Sequence, residues 1–351
     1  MCKGADGATM NQPSRSLVRS MSQLTAALVT GAFNTWGFLI FPSTPPVLLW
    51  LFWMYPYIVL PPVIAIYFLS RDGVELKDGR PWATFGKHFW VFRLARGYHD
   101  LQLHLDPKLE PSNMTGDEKF VFALHPHGVL SDYRILMDSV VDDYFPKLRS
   151  WRALAASVLF QFPVWRQISL WSHCIDAGRA TAQYALDHGH SLFIVPGGEH
   201  EQILGEFGKE ILYLKSRMGF VKLALRNRTP LVPVYVFGAS DIYHTSTFLQ
   251  KARLALVKRM RVAVPFFWGR FGLPIPREVP IRIVFGAPLT FAPNSDKTTE
   301  KTATEDGAEA LREVSDEELR DAHGAYVKAL KRLFDDNKAR FGYGDRELQF
   351  L

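Results

Sequence analysis

"FVFALHPHGVLSD", Phe120 to Asp132, carries five apolar residues into a His-Pro-His-Gly turn and closes on an aspartate five residues after the second histidine. The opening Phe120–Leu124 has the length and unbroken apolarity of a buried strand. Three more stretches share that character: "LFIVP" (Leu192–Pro196), "LVPVYVF" (Leu231–Phe237) and "IRIVF" (Ile281–Phe285). Between them "RATAQYALDHG" and "SRMGFVKLALRN" have helical spacing, and strands alternating with helices predict an α/β domain. Helical spacing resumes over Asp316–Lys338, with Leu319, Tyr326, Leu330, Leu333 and Phe334 roughly along one side. The Thr-, Glu- and Lys-rich stretch Asn294–Val314 has too few large apolar groups to order itself and is predicted to be a flexible loop.

The chain has 351 residues, of which 48% are hydrophobic, enough for a sizeable core. Its two cysteines, Cys2 and Cys174, exclude a disulfide framework and place the soluble half in a reducing compartment. A net charge of +6 suits nucleic acid or an anionic membrane equally. The N-terminal residues decide for membrane. Leu24–Phe41 and Val47–Leu69 carry no charge and are separated only by "PSTPP", which predicts a membrane hairpin over residues 24–69 after an N-terminal segment 1–23. Cations flank it on both sides, Lys3, Arg15 and Arg19 before and Arg71, Lys77, Arg80 and Lys87 after, so both termini are expected in the cytosol. Pro56, Pro61 and Pro62 predict a kinked or re-entrant second half, and residues 70–351 are expected to form one domain beside the membrane. The basic run Lys251–Arg270, with aromatic and aliphatic residues among its cations, reads either as an interfacial segment or as a solvated helix followed by a strand.

His125 and His127 admit two chemical readings. As metal ligands they lack the rest of a shell, since Val129 stands where a metal-binding pattern would need an aspartate. As an acid–base pair, His127 would take a proton while Asp132, in the first turn of the following helix, orients its ring; Gly128 lets the chain bend between them. The spacing alone is a weak signal in a chain with eleven histidines. Further segments add to it. "FIVPGGEHEQ" (Phe193–Gln202) runs a strand into a glycine pair and acidic residues, "RMGFVKLAL" sets Arg217 and Lys222 beside an apolar helix face, and "LVPVYVFGASDIY" is a buried strand ending in a glycine turn.

Taken together, "HPHG" (His125–Gly128), the Gly-Gly-x-x-Glu stretch Gly197–Glu201, "RMGFVKLAL", "PLVPVYVFG" and the closing "HGAYVKALKRLFDDNKARFGYG" resemble the type-2 diacylglycerol acyltransferases, which include monoacylglycerol and wax-alcohol acyltransferases. The resemblance runs from the hairpin to the end of the chain. It implies a mixed sheet with flanking helices like that of the glycerolipid acyltransferases, whose His-x4-Asp signature His127 and Asp132 match. The implied reaction moves a fatty acyl group from coenzyme A to diacylglycerol, at the endoplasmic reticulum membrane or a lipid-droplet surface. It calls for no metal or tightly held cofactor, since acyl-CoA enters as co-substrate. On this reading His127 is the general base, Asp132 orients it, and His125 shapes the turn or joins the site. Glu199 contacts the glycerol or braces the histidine. Gly128, Gly197 and Gly198 bring backbone close to substrate, with the amides around Gly197 and Gly198 as oxyanion donors, and Arg134, Arg217 and Lys222 meet the coenzyme A phosphates. The partners implied are acyl-CoA, diacylglycerol and the bilayer, with no nucleic acid and with self-association left open.

Overall fold

The computed structural model describes residues 23–32, 50–51, 53–69, 71–291 and 312–351. Its strands in chain order are β1 (Gln102–His104), β2 (Val121–His125), β3 (Trp151–Ala155), β4 (Cys174–Asp176), β5 (Ser191–Ile194), β6 (Glu210–Leu212), β7 (Leu231–Phe237), β8 (His244–Thr245), β9 (Phe267–Trp268), β10 (Arg282–Phe285) and β11 (Leu348–Phe350). Its principal helices are α1 (Pro56–Leu69), α2 (Phe85–His88), α3 (Trp90–Tyr98), α4 (Asp132–Tyr144), α5 (Pro163–Trp171), α6 (Arg179–Asp187), α7 (Gly198–Leu204), α8 (Gly219–Arg226), α9 (Gln250–Met260) and α10 (Asp316–Lys338). The four strands and three helices read from the sequence all form, with ends displaced by up to a few residues.

Seven strands build one sheet in the order β1-β10-β7-β2-β5-β3-β4. Neighbours run parallel except β10 against β7, so the sheet is mixed. All five residues of β2 are buried because both faces of the sheet are covered. Phe122 and Leu124 meet Tyr133, Leu136 and Met137 of α4, whereas Val121 and Ala123 belong to the opposite layer, with Val221 of α8 and Tyr326, Leu330 and Phe334 of α10. The Phe122 ring stacks on Phe193 of β5 at 4.5 Å. Burying an aromatic of this size stabilises the fold by about 1.5–3 kcal/mol.

The chain lays down β2, steps outward to β3 and β4, then returns to insert β5 between β2 and β3 before placing β7 on the other side of β2. The carboxyl ends of β2, β3, β4 and β5 therefore share one edge of the sheet, the edge at which open α/β sheets hold ligands.

Much of the predicted hairpin, 33–49 and residue 52, lies outside the described residues, as do 294–311 of the predicted loop. Of the hairpin, the helix over 23–32, helical residues at 50–51 and 53–54, and α1 are described. No described helix is long and apolar enough to cross a membrane. The helix over 23–32 packs Ala26 and Ala27 against Tyr98 and Ile275.

Candidate active site

A cavity of about 1150 Å³ lies at the carboxyl ends of the parallel strands. Leu154 of β3 and Ala156 just after it line the cavity, as do Cys174 of β4 and Ala177 just after it, Ile194 of β5 with Val195 and Pro196 beyond it, His127 from the turn after β2 and Asp132 at the start of α4. Its volume exceeds the roughly 300–1,000 Å³ of a typical small-ligand pocket. Apolar groups including Leu130, Ile135, Leu159, Trp165 and Ile168 form much of the wall. Six cations, Arg134, Arg179, Arg217, Lys222, Arg226 and Arg261, also line it, against two carboxylates, Asp132 and Glu199. That surplus of positive charge beside an apolar wall suits a ligand with phosphates at one end and hydrocarbon at the other.

His127 leaves the end of β2 and is half-buried on the cavity wall. Gly128 follows with φ +65°, a left-handed turn that a side chain would strain. The turn aims the Gly128 carbonyl back at the ring, 2.9 Å from His127 Nδ1. A carbonyl only accepts, so Nδ1 carries the proton and Nε2 keeps the lone pair a base requires. Ser131 adds a second brace, donating its hydroxyl proton to the His127 carbonyl at 2.9 Å while its oxygen sits 3.1 Å from Nδ1. Burial pushes the imidazole down to about 4, and the nearby Arg134 charge acts in the same direction. The ring is neutral at physiological pH.

The backbone of the same turn is held by Glu201. Its Oε1 accepts the His127 N–H at 2.5 Å and its Oε2 accepts the Tyr213 N–H at 2.9 Å. Only 2% of Glu201 is exposed, and burial lifts its carboxyl to about 7 despite both amide bonds. Gly197 makes this possible: a Cβ there would lie 2.2 Å from Glu201 Oε2, so only glycine lets the carboxylate fold back under the turn.

The structure departs from the sequence reading at four points, the first being that the His127 Nδ1 proton is directed at the Gly128 carbonyl and not at Asp132. Glu199 lines the cavity, and the glutamate that braces the histidine is Glu201, two residues on. His125 points away from the cavity into the core, fully buried, with Nε2 3.0 Å from the Tyr326 hydroxyl of α10. The Gly198 amide already donates to the Val195 carbonyl at 3.2 Å, which leaves it poorly placed as an oxyanion donor. Asp132, Arg134, Gly198, Arg217 and Lys222 do reach the cavity wall with His127, whereas Gly128 and Gly197 stand behind it. Arg217 is held by the Gly197 carbonyl at 3.3 Å and by His200 at 3.2 Å, with its guanidinium over the Tyr213 ring. Among the described residues no three His, Cys, Asp or Glu side chains converge as metal ligands.

Sequence reasoning missed Glu201, Ser131 and the cations Arg179, Arg226 and Arg261. A usable signal existed for the first: a glycine four residues before a glutamate at the start of a helix leaves room for the acid to turn back over that first turn.

The sequence pattern described as diacylglycerol acyltransferase matches residues 47–350. Human 2-acylglycerol O-acyltransferase 3 is 30% identical over 271 residues, which cover 72% of this chain and 72% of the human protein. Mouse diacylglycerol O-acyltransferase 2 is 29% identical over 307 residues, 82% of this chain and 73% of its own. The crystal structure of the 1-acyl-sn-glycerophosphate (LPA) acyltransferase PlsC from Thermotoga maritima aligns with a TM-score of 0.44 at 14% identity, covering 92% of this chain and 100% of that one. Since the family pattern takes in the His125–Gly128 turn, the whole sheet and α10, the chain belongs to the diacylglycerol acyltransferase family and is an acyltransferase.

Proposed function

We propose that the protein transfers a fatty acyl group from coenzyme A to the free hydroxyl of diacylglycerol, giving triacylglycerol. The observation that carries this reading is a cavity that joins an apolar wall, six cations and a neutral histidine. A hydroxyl is a weak nucleophile near neutral pH, so its proton must leave as it attacks. His127 Nε2 takes that proton while the hydroxyl oxygen bonds to the thioester carbon. The C–S bond then breaks, and the imidazolium returns the proton to the departing thiolate. With Nδ1–H already directed at Gly128, Asp132 acts chiefly by charge, stabilising the imidazolium formed midway. The phosphates of coenzyme A fall to Arg134, Arg217, Lys222 and the further cations on the wall, and Glu199 faces the glycerol of the acceptor.

The uncharged segments of residues 24–69 act as a hairpin anchoring the domain to the endoplasmic reticulum or a lipid-droplet surface, with both termini cytosolic. Detergent-purified protein incubated with labelled acyl-CoA and with monoacylglycerol, diacylglycerol and a long-chain alcohol side by side tests the assignment. Triacylglycerol should be the main product. Dominant diacylglycerol formation would favour the monoacylglycerol acceptor named for the human relative, and no acyl transfer to any acceptor would defeat the reading.

A further inference from the structure

Between Asp241 and Glu278 the chain carries seven lysines and arginines and no acid, against a net charge of +6 for the whole protein. Those cations sit among large apolar side chains that the fold leaves uncovered. Phe248 is 64% exposed and Phe271 73%, and Leu249, Met260, Trp268 and Leu273 are exposed as well. Scattered apolar residues on a surface need no explanation, but these belong to one continuous arm built from α9, the β8–β9 pair and the turn at Arg270–Leu273. Phe248 lies 6.1 Å from Phe266, and the buried Arg253 guanidinium covers the Phe266 ring at 4.8 Å. Three non-glycine residues, Leu249, Arg261 and Phe271, take the left-handed conformation. That is unfavourable for them, and each stands at an end of α9 or at the turn that presents Phe271.

The arm is tied to two other features. Its Arg261, Val262, Ala263 and Val264 form part of the cavity wall, so the segment that exposes the apolar groups also borders the site. Beyond the turn, Ile275 packs into the space left by Gly31, beside Ala26 and Ala27, and Gln23 donates to Glu278 at 2.7 Å. The arm is thereby joined to the first apolar stretch of the N-terminal region.

We infer that the arm Phe248–Leu273 lies in the headgroup region of an anionic bilayer and holds the cavity edge at Arg261–Val264 against it, so that the acceptor lipid passes directly from membrane to site. This rests on the reading of that site as one that acylates a lipid hydroxyl. Besides the buried Arg253, the arm carries Lys251, Lys258, Arg259, Arg261 and Arg270 and no acid, which matches an anionic surface, and the exposed aromatic and aliphatic groups sink beneath the headgroups while these five cations stay among them.

Two measurements on the full-length chain test this. Nitroxide labels at Phe248→Cys and Phe271→Cys, in a Cys2→Ser background and in phosphatidylcholine–phosphatidylserine vesicles, should collide more readily with oxygen than with a water-soluble nickel chelate. A label at Arg320→Cys, exposed on α10, should show the reverse. Arm labels as open to nickel as Arg320→Cys overturn the proposal, and so does strong spin–spin broadening between copies, which would make the arm a protein–protein contact instead.

The second measurement is kinetic. The double variant Phe271→Asp, Leu273→Asp should raise the apparent KM for long-chain diacylglycerol in vesicles at least about fivefold. It should leave the rate with a short-chain, water-soluble diacylglycerol unchanged. Equal loss on both acceptors, or none on either, overturns the portal. Should the unmodified protein acylate neither acceptor, the functional reading itself fails, and the label accessibilities still decide whether the arm meets the membrane.

Discussion

His125 and His127 stand two residues apart and belong to different regions of the molecule. His127 occupies the wall of a cavity lined with cations, while His125 is sealed between β2 and α10 with its ring 6.1 Å from that of Tyr326. Burial depresses both, to about 3 for His125 and about 4 for His127, so both are neutral. What separates them is access. A lone pair in the core meets only the protein, whereas one on the cavity wall meets substrate. A depressed pKa in a histidine-rich motif therefore identifies a base only together with the cavity it faces.

The difference is broken most severely by His127→Ala, for which kcat should fall about 10²- to 10⁴-fold with no change in membrane association or thermal midpoint. Turnover near that of the unmodified protein would remove the histidine from the mechanism. Asp132→Asn should come next. In enzymes whose carboxylate alone fixes the tautomer, that substitution costs about 10⁴-fold. Here Gly128 O already receives the Nδ1 proton, so the loss should be smaller, about ten- to a hundredfold in kcat with little change in KM. A loss equal to that of His127→Ala would mean that Asp132, not Gly128, sets the tautomer.

Glu201→Gln sharpens the comparison from the backbone side. Each carboxylate oxygen accepts one amide, from His127 and from Tyr213, and a carboxamide can satisfy only one of them. Leaving a buried N–H unpaired costs about 1–3 kcal/mol, which we expect to appear as a roughly tenfold lower kcat. The pH profile distinguishes positioning from mere structural damage. Glu201 sits near 7 rather than in the ordinary carboxylate range, so its bracing carboxylate form is complete only about a unit above that value, is half lost at it and disappears as pH falls further, while His127 stays neutral over the same interval. The unmodified enzyme should lose rate between pH 8 and 6, and Glu201→Gln should be slower but flat over that interval. An unchanged inflection in the variant would assign it to another group.

The fold was legible where strands are long and continuously apolar: β2, β5, β7 and β10 could be read directly from their residues. The three residues of β1 and of β4 are too few to carry any periodicity. β3 hides behind Arg152, a charge that the sheet tolerates because the guanidinium reaches the Asp78 carbonyl and the Ser150 hydroxyl. At the site, Gly128 and Asp132 were legible because a turn of fixed length places them beside His127, whereas the Ser131 hydroxyl in that turn acts through a backbone contact that spacing does not show. Glu201 was not legible, since its role depends on Gly197 lacking a side chain and on Tyr213 approaching from β6. Arg179, Arg226 and Arg261 come from three separate helices and helix ends, which only the folded sheet brings to one cavity.

The smallest expected effect probes the sealed histidine. The Tyr326 hydroxyl lies 3.3 Å from the Ala123 carbonyl, to which it donates, and 3.0 Å from His125 Nε2. With the hydroxyl proton directed at Ala123, Nε2–H must be the donor to Tyr326, and the lone pair at Nδ1 is left buried without a partner. That tautomer makes His125 a structural donor with no proton to exchange with substrate. Tyr326→Phe keeps the ring against Phe220 and Phe334 of the same layer but leaves Nε2–H unpaired in the core, a cost of about 1–3 kcal/mol. The thermal midpoint in detergent should therefore drop while kcat and KM stay within about twofold of the unmodified values. A large fall in kcat at unchanged stability would place His125 in the reaction and erase the distinction between the two histidines.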